Sequence, residues 1–110
     1  MTIKDIPFTV TDWSRLQGVE HKGESGKSVW RTFQAGGIRV RMVEYSPGFK
    51  ADHWCGRGHI LLVLDGELEI IVLGGNPHIL GPGMGFEAGD DDARPHLVLS
   101  SKGARVFIVD

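Results

Sequence analysis

Apolar residues in this chain come in short runs, and glycine or proline cuts nearly every run within a few positions. No stretch of about 11 residues keeps a helical period. The pattern is instead that of many short strands separated by turn signals. Ser28 to Gln34 alternates Val29, Arg31 and Phe33 against Trp30 and Thr32. Gly36-Gly37 is a two-residue hairpin signal. Ile38, Val40 and Met42 then alternate with Arg39, Arg41 and Val43, until Ser46-Pro47-Gly48 breaks the run. His53 to Cys55 reads as a short extended piece before the turn Gly56-Arg57-Gly58. His59 to Leu64 and Glu67 to Leu73 pair around Asp65-Gly66. Three brief segments follow: His78 to Leu80, Met84 to Glu87, and a loop at Asp90-Asp91-Asp92. His96 to Ser100 and Ala104 to Val109 close the chain as a last pair. The expectation is an all-β protein whose antiparallel strands form two facing sheets or a closed barrel.

The first 27 residues are patterned differently. Ile6 to Val10 suits an extended edge strand, Thr11 or Asp12 suits the cap of a short helical turn through Leu16, and His21 to Lys27 reads as a loop. The chain is therefore divided into an N-terminal extension (1–27) and a barrel (28–110). With 110 residues it has the length of one domain.

Composition narrows the partners. Hydrophobic residues at 41% and charged residues at 24% are those of an ordinary soluble domain. The net charge of −2 and the lack of a basic stripe argue against nucleic acid as a partner. The longest apolar run, Ile60 to Leu64, is far shorter than the roughly 20 residues of a membrane helix. No basic-then-apolar export signal is visible at the start, and Cys55 is the single cysteine, so no intrachain disulfide can form. These features point to the cytoplasm.

The chemistry concentrates in Asp52-His53-Trp54-Cys55-Gly56-Arg57-Gly58-His59. In a strand, His53 and Cys55 would point to one face roughly 6.6 Å apart, and His59 follows a turn that can swing it alongside. Imidazole and thiolate suit zinc and other late first-row metals. The alternative is that Cys55 merely packs in the interior, as cysteines often do. Spacing alone fixes no fourth ligand.

Gly48-(x4)-His53-x-Cys55-(x3)-His59-(x6)-Gly66 resembles the first cupin motif, with Cys55 in place of its second His, His59 in place of its Glu, and Gly48 one residue closer than usual. Pro82-Gly83 and Arg94-Pro95-His96 resemble the second motif more loosely. The run Glu44-Tyr45-Ser46-Pro47-Gly48 and the Asp52–Cys55 block are also similar to a group of small bacterial single-domain cupins labelled by an Asp-His-Cys-Trp signature, although Trp and Cys stand in the other order here. The resemblance implies a double-stranded β-helix (a cupin or jelly-roll barrel) holding one divalent metal on His53, Cys55, His59 and His96. Zinc is the favoured ion because of the thiolate, with iron or nickel as the other candidates. It also implies a homodimer, for which the apolar Ile6 to Trp13 segment is suited.

Two readings of function follow. One is a metal-dependent enzyme (a dioxygenase, isomerase or lyase) acting on a small polar molecule. The other is a non-catalytic binding or sensor module in which a closed zinc site staples the barrel. No catalytic residue is assigned. Arg41 and Tyr45 are candidates to bind substrate, Arg41 through a carboxylate, against a plain reading of Arg39 and Arg41 as a solvated outer face. Asp52 is a candidate to orient a ligand His. Asp90-Asp91-Asp92 reads as a solvated loop rather than a cation site.

Overall fold

The computed structural model describes residues 2–110; residue 1 of the expected extension lies outside them. Ten strands are arranged in two sheets: β1 (Val19–Lys22), β2 (Lys27–Ala35), β3 (Ile38–Tyr45), β4 (Phe49–Lys50), β5 (His59–Gly66), β6 (Leu68–Val72), β7 (Pro77–Leu80), β8 (Gly85–Ala88), β9 (His96–Ser100) and β10 (Ala104–Val109). One sheet runs β1-β2-β3-β10-β5-β8 and the other β4-β9-β6-β7. Every pairing between these strands is antiparallel. This is the expected all-β jelly roll.

Local sequence accounts for most of the strand boundaries. Gly36 and Gly37 both have positive φ (57° and 79°), the signature of a type I′ turn, and the turn holds Ala35 opposite Ile38. Gly66 also has positive φ, and a Cβ there would collide with the backbone of Gly103, so the β5–β6 turn needs a glycine. Alternation sets the interior: Leu61 and Val63 of β5, Leu68 and Ile70 of β6, and Ala104, Val106 and Ile108 of β10 face inward, with Val43 and Leu80 completing the core. Val43, Val63, Leu68 and Val106 are wholly buried.

The N-terminal region differs from its reading. Asp12 does cap a short 3-10 turn, Trp13–Arg15, by accepting from the Ser14 amide. Ile6 to Val10 forms no strand, whereas Val19–Lys22, half of it read as loop, pairs with β2. All four β1 residues are exposed, so no alternation marked the strand.

The pairing of β10 with β5 contains the irregularity that matters for the site. The register of β10 against β5 jumps between Arg105 and Val106, so β5 has one residue more, Leu64, than its partner. After the bulge, Val109 lies opposite Ile60 on β5 and opposite Val40 on β3. One step further, Asp110 falls between Arg39 and His59. It exchanges both backbone hydrogen bonds with Arg39, at 2.9 and 2.7 Å. Without the bulge, Asp110 would sit opposite Ile60, and β5 would turn His59 to the other face.

Candidate metal centre and the basic cavity beside it

Cys55, His59 and His96 converge. Each offers a ligand atom, and these atoms all lie within 4.8 Å of one another. Bonds of about 2.0–2.3 Å to a tetrahedral ion would place them roughly 3.3–3.8 Å apart, so a contraction of about an ångström closes the site. Two strand ladders make the convergence. Cys55 and His96 form an isolated bridge and exchange both backbone hydrogen bonds at 2.8 Å. Residues paired in this way project side chains on the same face. His59 opens β5 in the opposite sheet, in phase with the inward Leu61 and Val63. Its ring centroid is 5.0 Å from that of His96, and Phe86 packs edge-on to both.

The loop from Cys55 to His59 is clamped from outside. The Gly58 amide donates to Asp90 at 2.6 Å, and the Asp91 amide donates to the Gly56 carbonyl at 2.8 Å. Asp91 also accepts from the Ala93 amide. Asp90 and Asp91 thus serve the backbone of this loop, which is more than the solvated loop read from sequence.

His53 does not join the cluster. Asp52 and His53 lie in a bend, so the two-residue period that would put His53 and Cys55 on one face does not operate. The His53 ring is exposed, and its Nδ1 is 2.7 Å from Asp52 Oδ1. Asp52 therefore holds a histidine outside the cluster, at the rim of the adjacent cavity, rather than a residue of the cluster. Trp54 is 41% exposed and is not among the residues lining that cavity.

Asp110 is the buried charged residue beside the cluster that the sequence did not flag. Its carboxylate is essentially buried and is met from three strands or loops. Arg39 binds it with two parallel bonds of 2.9 and 3.0 Å, and Arg41 Nη2 with one of 2.8 Å. Arg57 Nε approaches to 3.7 Å. His59 Nδ1 is 2.8 Å from Asp110 Oδ2, a close contact whose direction falls short of a hydrogen bond. This leaves His59 Nε2 for the cluster and gives the ring the carboxylate neighbour that metal-bound histidines commonly have.

Electrostatics suit metal binding. Burial lowers the pKa of His59 to about 4, with the nearby His96 and Arg41 acting in the same direction and Asp110 opposing. Burial also lowers that of His96, helped by His53. Both imidazoles are therefore neutral near pH 7, the form that donates a lone pair. Burial pushes the Asp110 carboxyl up, but Arg39, Arg41 and His59 together outweigh it and hold it below its ordinary value.

The sequence left open whether Arg39 and Arg41 lie on a solvated outer face. They point inward and line a cavity of about 650 Å³ with Trp30, Tyr45, His59 and His96. Arg41 is only 4% exposed and stacks over the Trp30 ring, 4.3 Å from its centroid. Tyr45 lies against Phe49, and desolvation pushes its pKa up to about 12 despite Arg41, so it is a neutral phenol able to donate. A second cavity, about 530 Å³, shares His96 with the first and is lined also by Phe86, Ile70, Val72 and Leu80.

Two facing antiparallel sheets in this strand order are those of the cupin fold, and structural comparison agrees. The chain is similar to an ectoine synthase from P. lautus (17% identity, TM-score 0.74, covering 93% of this chain and 76% of that one). It is also similar to the polyketide cyclase RemF from Streptomyces resistomycificus (15%, 0.76, covering 94% and 78%). A third is an RmlC-like cupin from Shewanella frigidimarina (15%, 0.72, covering 94% and 89%). No family model matches the chain, and no curated protein matches it in sequence. The narrower Asp-His-Cys-Trp group rests on the sequence resemblance at Glu44 to Gly48 and Asp52 to Cys55.

Proposed function

We propose that this protein is a metal-dependent enzyme acting on a small polar molecule bound beside the ion. Cys55, His59 and His96 would hold the metal, with zinc favoured over iron or nickel by the thiolate. The observation that carries the reading is the number of converging side chains. Three protein ligands beside a solvent-reachable cavity leave a coordination position for water or substrate, the arrangement of catalytic rather than structural zinc. When bound, the ion would supply Lewis acidity and a water of lowered pKa. The residues around it have their own tasks. Asp110 keeps the His59 ring oriented, Phe86 packs both imidazoles in place, Tyr45 offers a proton-bearing hydroxyl, and Arg41 anchors the bound molecule.

Two of the three structural neighbours, the ectoine synthase and the polyketide cyclase, are enzymes by name. The rival is a binding or sensor module with a closed zinc site. It requires a fourth protein ligand, and His53 is the nearest candidate. The two readings separate on His53→Ala and Cys55→Ser. The open site predicts that the first variant keeps its metal and the second loses most of it. Loss of metal in His53→Ala would favour the closed module instead.

The same reading includes a homodimer in the cytoplasm. The outer face of the six-stranded sheet exposes Ile60, Leu62 and Leu64 beside Phe107 of β10, and Phe8 and Val10 of the N-terminal segment are also exposed. A second copy would cover such a face. A reducing compartment keeps Cys55 available as a ligand. Among the described residues no helix is long and apolar enough to cross a membrane.

A further inference from the structure

We infer that the molecule bound beside the metal is a small carboxylate, received by Arg41 in the cavity under Trp30. This rests on the cavity being the substrate's, and it can be tested apart from the metal. The first ground is a charge imbalance. Arg39 and Arg41 both bind the side-chain carboxylate of Asp110 and the half-exposed Arg57 approaches it to 3.7 Å, so guanidinium groups outnumber the side-chain carboxylates that meet them. Guanidinium does not deprotonate in proteins, so the surplus is not relieved by losing a proton. Charges gathered in a partly enclosed, low-dielectric space favour an anionic ligand.

The second ground is a free donor. Asp110 already takes two nitrogens of Arg39, so that fork is occupied. Arg41 gives Asp110 only Nη2, and its Nε is buried with no hydrogen-bond partner. A buried guanidinium nitrogen left unpaired is uncommon and calls for an acceptor. Arg41 is 96% buried by the complement of its 4% exposure, and the cavity it lines also contains His59 and His96 of the metal cluster. A planar carboxylate is the acceptor that a guanidinium fork matches best. Tyr45, on the same strand and the same inward face, supplies a hydroxyl to a second polar group of the ligand. The ligand is therefore short, with a carboxylate at one end and a second polar or anionic group at the other.

The test uses malonate as the carboxylate and malonamide as its uncharged counterpart. Binding is followed by the indole N–H resonance of Trp30, whose ring lies under Arg41. The titration is run on the protein as purified and again after chelation. Malonate should shift the Trp30 resonance in both preparations, and malonamide should bind at least about tenfold more weakly. Arg41→Lys keeps the charge but loses Nε, and should weaken malonate about tenfold. Asp110→Asn has the opposite sign: it removes the competing carboxylate and should tighten malonate several-fold, so the idea remains testable if Arg41→Lys fails to fold. Equal binding of malonate and malonamide would overturn the inference. So would malonate binding that vanishes on chelation and ignores both variants, since the metal alone would then be the receptor. Loss of the metal reading with Arg41-dependent binding intact would leave this inference standing.

Discussion

Replacing Asp110 by alanine isolates the ion network that ties three strands to the metal cluster. The carboxylate side chain is 1% exposed, and it neutralises Arg41, which is itself almost fully buried, and the partly buried Arg39. Removing one member of a buried ion pair costs about 3–5 kcal/mol, because the partner is left buried and uncompensated. The adjacent cavity admits water, which rehydrates part of the exposed guanidinium charge and lowers the expected loss to about 2–4 kcal/mol. For a domain of this length, unfolding entropy near 2.1 cal/mol/K per residue converts each kcal/mol to about 4 °C, so the melting temperature should fall by about 8–17 °C. The measurement is urea denaturation of chelated wild-type and variant protein at pH 7, since a bound metal would add its own stabilisation. An unchanged slope with a lowered midpoint is expected. A loss below about 1 kcal/mol would mean that Asp110 does not hold Arg39, Arg41 and β10 together as described.

Three further outcomes are expected. Leu68→Ala, at a wholly buried position between the sheets, should cost about 2–5 kcal/mol in the same denaturation experiment, and a cost under 1 would misplace the core. Chelated protein should lose stability as pH falls from about 6.5 toward 4: unfolded histidines take up protons there, while folded His59, with a pKa of about 4, does not, and folded His96, lowered by burial, does so less readily. Below about pH 4 the loss continues as Asp110, held below its ordinary value, is finally protonated; a melting temperature flat between pH 7 and 5 contradicts the burial of both rings. Leu62→Glu, on the exposed outer face, should convert a dimer to a monomer in sedimentation velocity, and a wild-type chain that sediments as a monomer removes the dimer from the account.

The strands around the core were legible because their alternation is strict and their turns carry glycine. Leu61 and Val63, or Val106 and Ile108, can only face one way once the hairpins at Gly36-Gly37 and Gly66 are set. Cys55, His59 and His96 were legible as a candidate ligand set because His and Cys are few in this chain and the cupin-like spacing groups them. His53 was misplaced for a local reason: the i, i+2 rule assumes extended backbone, and Asp52-His53 is a bend. Arg39 and Arg41 defeat simple alternation. They share a face with Val43, so the apolar residues Ile38, Val40 and Met42 suggest the wrong side as interior. Asp110 belongs to no motif. It reaches the site through a bulge in β5, and a bulge that inserts a single leucine leaves no mark in the hydrophobic pattern.

The central claim is that one thiolate and two imidazoles meet on one ion with a position to spare. X-ray absorption on metal-loaded protein measures this directly. The account predicts one sulfur at about 2.3 Å, two imidazole nitrogens near 2.0–2.1 Å and at least one oxygen from water. A shell without sulfur, or a third imidazole with no oxygen, would contradict it.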